Sequence, residues 1–108
     1  MKKNTLIIKS IYEFTDPVDY IKYWKKTTYA SYSEMAICTY ISAKSFYHKV
    51  INGEKMYSMK RVIPISMMLR LGKREMEYFE IMSFLLIAKS PEVMKIKILN
   101  KFRPKRFR

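Results

Sequence analysis

The chain has 108 residues, of which 49% are hydrophobic, and 22 Lys and Arg stand against 9 Asp and Glu for a formal charge of +13. That is one domain's length, too short for a cofactor domain beside a substrate domain. It is too apolar for a disordered polycation, and basic enough to attract polyanions, nucleic acid first and an anionic membrane surface second.

One cysteine (Cys38) and one histidine (His48) exclude an internal disulfide and a structural zinc site. Two glycines, Gly53 and Gly72, leave no Gly-rich phosphate loop. After Met1-Lys2-Lys3 the apolar stretch is only Leu6-Ile7-Ile8, shorter than the roughly 7–15 residues of a signal peptide. The longest apolar-rich run, Ile81–Ala88, is well below the ~20 residues of a membrane span. No cofactor, no metal, no membrane span and a cytoplasmic location are therefore expected.

In chain order, residues 1–15 read as an N-terminal arm, extended and packed on the bundle. Asp16-Pro17 reads as an N-cap followed by the first helical residue, opening a helix to about Thr27 with Val18, Ile21 and Trp24 at helical spacing. A second helix starts after Ser31 or Ser33, carries Met35, Ala36 and Cys38, and breaks around Tyr40–Ser42. A third runs from about Ala43 to Ile51 and ends at the Asn52-Gly53 turn. The fourth opens after Ser58 and reaches about Leu71, with Gly72 as a C-terminal glycine. Pro64 lies inside it, and the missing amide should kink or split it. The fifth covers Lys73 to Lys89, and the sixth begins at Ser90-Pro91-Glu92 and fades into a basic tail. Period-2 alternation is not sustained anywhere, so the expected fold is all-α, a bundle of five or six helices. Residues 16–90 read as the main domain and 91–108 as a C-terminal helix and tail.

A short helix, a break of about three residues, a second short helix and Asn-Gly is the spacing of a helix-turn-helix. Its second helix would enter the DNA major groove, its N-terminal residues nearest the base edges. Phe46, Val50 and Ile51 fall on the core side of that helix, and Tyr47 falls between the faces. Ser42, Lys44, Ser45 and His48 are then the candidates for base contacts. Ser33, Lys49, Asn52, Lys55, Lys60 and Arg61 are the candidates for phosphate contacts. From Tyr40 to Arg74 there are eight basic residues and one acid, Glu54, so this part of the surface should be strongly positive.

Several stretches resemble a known family. They are Ile11-Tyr12-Glu13-Phe14-Thr15-Asp16 with Tyr20-Ile21, then Ser31-Tyr32-Ser33, then Val50-Ile51-Asn52-Gly53-Glu54-Lys55 with Ser58. The most specific is Lys73-Arg74-Glu75-Met76-Glu77-Tyr78-Phe79-Glu80. Together they resemble a family of bacterial transcriptional regulators over about residues 11–90. The resemblance implies a lambda-repressor-like helix-turn-helix core, double-stranded DNA as partner and transcription regulation as function. Longer members carry a C-terminal domain of unknown function with no counterpart here. The motif's turn usually has a glycine where this chain has Tyr40. A side chain in a left-handed turn costs roughly 1 kcal/mol, so a remodelled turn is expected.

Outside that motif, the fifth helix is apolar on nearly every side. It would either run through the centre of the bundle or offer Ile81, Phe84, Leu85 and Ile87 to a partner. A homodimer would suit paired DNA half-sites. The alternative function is a protein-interaction module built on this helix, or a non-specific nucleic-acid binder. Interleaved aromatic and basic residues also raise RNA stacking, but no sheet platform is expected. The tail from Lys95, with seven basic residues and no acid, reads as a solvated segment, a nucleic-acid arm or a lipid attachment. Cys38 reads as a buried inert thiol. No constellation of catalytic groups is present, so an enzyme is not expected.

Overall fold

A computed structural model describes residues 9–108. Positions 1–8, and with them the Leu6-Ile7-Ile8 part of the expected arm, lie outside the described residues. Six α-helices follow one another, with no strand among the described residues: α1 (Pro17–Thr28), α2 (Tyr32–Cys38), α3 (Phe46–Ile51), α4 (Val62–Met68), α5 (Lys73–Ile87) and α6 (Glu92–Phe102). Single 3-10 turns stand at Ile11–Glu13, Met59–Arg61 and Lys105–Phe107.

The helix starts follow their local sequence. Asp16 accepts from the Val18 amide at 2.8 Å ahead of Pro17, the first residue of α1. Ser31 and Glu34 form a reciprocal cap on α2, at 3.0 and 2.8 Å. Gly72, expected at a helix end, instead precedes α5 in extended conformation, and its amide donates to Glu75 at 2.8 Å. Pro64 is the third residue of α4, where a missing amide costs no helical hydrogen bond. The expected single helix is instead divided before Pro64, between the 3-10 turn at Met59–Arg61 and Val62.

Four helix ends share one geometry. Ile41, Glu54, Leu71 and Ser90 each donate to the carbonyl five residues back, at 2.8–3.2 Å, while the preceding residue is left-handed. This is the Schellman motif. Only one of the four left-handed positions is glycine, Gly53 at φ 79; the others are Tyr40, Arg70 and Lys89 at φ 59, 57 and 55.

The core is one cluster in which α5 is the central element, packed on α1, α4, α6 and the N-terminal turn. Tyr78, Phe79, Met82 and Leu85 form its buried face. Tyr78 ties distant segments together. Its hydroxyl donates to the Phe14 carbonyl at 2.6 Å and accepts from Arg103 Nε at 3.0 Å. The tail is therefore not a solvated strand: it folds back, and Phe107 lies 5.4 Å from Tyr12, ring to ring. Buried polar groups are paired, with Tyr57 Oη 2.7 Å from Ser83 Oγ. Cys38 is exposed rather than buried, because α2 turns Met35 and Ala36 inward, followed by Thr39 at its cap.

Candidate nucleic-acid interface

The region between α2 and α3 is built around the left-handed residue Tyr40. Its amide donates to the Ile37 carbonyl at 3.1 Å and that of Ile41 to Ala36 at 2.8 Å. The tyrosine takes the left-handed conformation itself and is 92% exposed. Beyond it the chain differs from expectation. α3 begins at Phe46, not near Ala43, because Lys44 and Ser45 form a turn and Ser45 makes no side-chain cap.

Phe46, Tyr47 and Val50 hold α3 in the core. Tyr47, unplaced by phase alone, is fully buried, with its hydroxyl 2.9 Å from Thr39 Oγ1. Thr39 donates its own proton to the Met35 carbonyl at 2.9 Å, so Tyr47 is the donor to Thr39. Burial pushes the Tyr47 phenol upward. This pair fastens α3 to the end of α2 across the turn.

The opposite side of α3 is solvent-facing. His48 and Lys49 on α3, with Ser45 at its N-cap and Asn52 at its C-cap, are all exposed. Asn52 Nδ2 and His48 Nε2 are 3.1 Å apart. The His48 ring meets the Tyr32 ring edge-on at 5.3 Å. Lys25 Nζ, in the last turn of α1, lies 4.4 Å from the centre of the Tyr32 ring. On the flank, Lys55 and Arg61 both approach the Phe46 ring, at 5.1 and 5.7 Å. Among the described residues none of Lys44, Lys49, Lys55, Lys60 and Arg61 is in an ion pair.

Comparison with protein-family models, with curated proteins and with solved structures finds no match to this chain. Its site therefore rests on its own geometry.

Ser42, Lys44, Ser45 and His48 are exposed around the start of α3, and Lys49, Asn52, Lys55 and Lys60 are exposed as well. Arg61 is half-buried, its guanidinium near Phe46. Ser33 is half-buried in the first turn of α2. That turn already holds the Glu34 carboxylate on the Ser31 amide, which repels a phosphate from the position read for Ser33. Sequence phase does not reveal Lys25, which the turn from α1 into α2 brings beside Tyr32.

Of the expected interface residues, Leu85 is corrected: it is 3% exposed and belongs to the core, because it continues the inward face of Tyr78 and Met82. Ile81 is half-buried, whereas Phe84 and Ile87 are exposed. Val93, Met94 and Ile96 on α6 add further exposed apolar surface. Among the described residues no helix is long and apolar enough to cross a membrane, and no group of three His, Cys, Asp or Glu could hold a metal.

Proposed function

We propose that the chain binds double-stranded DNA sequence-specifically, as a transcriptional regulator or its DNA-binding half. The observation that carries this reading is the solvent-facing group of His48 and Lys49 on α3 with its caps Ser45 and Asn52, set behind a left-handed turn and flanked by cations without acidic partners among the described residues. A short helix held by its inner face and bare on its outer face suits insertion into the major groove. The sequence resemblance to helix-turn-helix regulators points the same way.

In this reading Ser42, Lys44, Ser45 and His48 meet base edges. Lys49, Asn52, Lys55, Lys60 and Arg61 meet phosphates, joined by Lys25 on the Tyr32 side, and Ser33 drops out of the contact set. Docking involves no covalent step. Affinity comes from released counterions, so log K falls with log salt at a slope of about 0.9 per phosphate contacted. The test is selection from a random duplex pool at near-physiological salt. Convergence on a short motif supports the proposal, and a palindrome with half-sites about one helical turn apart adds a homodimer. Retention without enrichment leaves backbone binding alone, and no retention removes DNA as partner.

A second reading has its own observation. Phe84, Val93 and Met94 are 53%, 79% and 51% exposed on adjacent helices, an apolar surface that suits a protein partner. Association through it should survive high salt, unlike docking on DNA.

A further inference from the structure

The folded tail closes a second basic feature. A cavity of about 560 Å³ is lined by Lys73 and Arg74 from the first turn of α5, Lys101 from the last turn of α6, and Arg103, Lys105 and Arg108 from the tail. One acid, Glu77, shares the lining, and none of the lining residues comes from α2, α3 or the loop after α3. Among the described residues none of the six cations is in an ion pair.

The arrangement is held rather than loose. Arg103 donates from Nε to Tyr78 Oη at 3.0 Å and from a terminal nitrogen to Asn100 Oδ1 at 2.8 Å, leaving three of its five N–H groups free. Arg108 Nε donates to the Arg103 carbonyl at 2.9 Å, which curls the tail around the cavity. Phe107 anchors the same segment on Tyr12. Gathering like charges in so small a volume is unfavourable on its own, and a compact polyanion removes that repulsion.

We propose that this cradle binds a compact, multiply charged phosphate compound, the polyphosphate group of a nucleotide or an inorganic polyphosphate, at a site separate from α3. Six cations facing one acid call for several negative charges in a small space, which a single carboxylate cannot bring. Guanidinium groups fixed in orientation suit phosphate oxygens. A dent walled by the tail suits a small anion better than a rod of duplex. The proposal does not depend on the DNA reading.

The experiment is calorimetric titration of the full chain at 0.15 M ionic strength with tripolyphosphate, ATP, orthophosphate and citrate. Expected is one tripolyphosphate or ATP per chain, bound at least roughly tenfold more tightly than citrate or orthophosphate. ATP binding more tightly identifies a nucleotide, and tripolyphosphate binding more tightly identifies inorganic polyphosphate. The variant R74Q/K105Q removes two cations whose side chains make no hydrogen bond among the described residues, and should weaken tripolyphosphate roughly tenfold or more. The variant K49Q/K60Q, on the α3 side, should leave it within about twofold while weakening duplex DNA. Unchanged binding by R74Q/K105Q, an equal loss in K49Q/K60Q, binding of citrate as tight as tripolyphosphate, or displacement of tripolyphosphate by duplex DNA would each overturn the proposal. A failed DNA selection would leave it standing.

Discussion

Replacing Tyr40 by glycine should make the protein more stable. Tyr40 sits at φ 59 with its side chain 92% exposed, so truncation forfeits almost no burial. A side chain in the left-handed region costs about 1–2 kcal/mol. Glycine returns about 0.4–1 kcal/mol of that through the greater freedom of the unfolded chain. The net expectation is a gain of about 0.5–1 kcal/mol. For a domain of this size that raises the melting midpoint by roughly 2–8 °C. The mirror experiment is Gly53→Ala. At φ 79, with nothing within 4 Å of the added Cβ, its cost is conformational alone, about 1 kcal/mol of lost stability. Both are measured by urea denaturation followed by circular dichroism, alongside wild type. A loss of stability in Tyr40→Gly, or a gain in Gly53→Ala, would refute the assignment of these turns as left-handed caps.

Three further outcomes are expected. Tyr57→Phe strips the partner from the fully buried Ser83 hydroxyl, 2.7 Å away, and should cost about 1–2 kcal/mol; adding Ser83→Ala should restore part of it in a double-mutant cycle, and simple additivity would count against the pair. Burial raises the Tyr20 phenol to about 12 from an unfolded value of 10.0. Its contribution to stability is thus complete below pH 10 and fades as pH rises toward 12. Tyr20→Phe should flatten that decline in an alkaline denaturation series, and an unchanged slope would contradict the assignment. In DNA titrations Lys60→Ala should weaken all duplexes alike and lower the salt slope by about one, whereas Lys44→Ala should alter which duplex is preferred; identical behaviour of the two would remove the base-reading role of Lys44.

What the sequence revealed divides along the range of the interaction. Asp16-Pro17, Ser31 with Glu34, and Asn52-Gly53 are local signals, and the helices start and stop where those residues place them. The start of α3 was misjudged by about three residues because Lys44 and Ser45 form a turn that helical periodicity does not distinguish from a first helical turn. Glycine after Leu71 resembles a helix end by residue type, whereas Glu75 three residues on marks a start. The exposed face of α3 follows from phase. Tyr47 needed a partner eight residues away, and Lys25 needed the turn that sets α1 against the start of α2. Cys38 looked apolar by type, but α2 is too short for residue type to reveal which side faces inward.

The clasp at Tyr78 also bears on how the chain is made. The N-terminal turn is seated by Tyr78, which binds Phe14, and by Phe107, which lies against Tyr12. Arg103 completes the hydroxyl's bonding. A segment made early is thus fully seated only after residues made much later. A nascent chain arrested before Arg103 should leave the peptide bond after Tyr12 open to chymotrypsin, and the same bond should become resistant once residue 107 has emerged. Protection already complete in the arrested chain would show that the early turn docks without the tail.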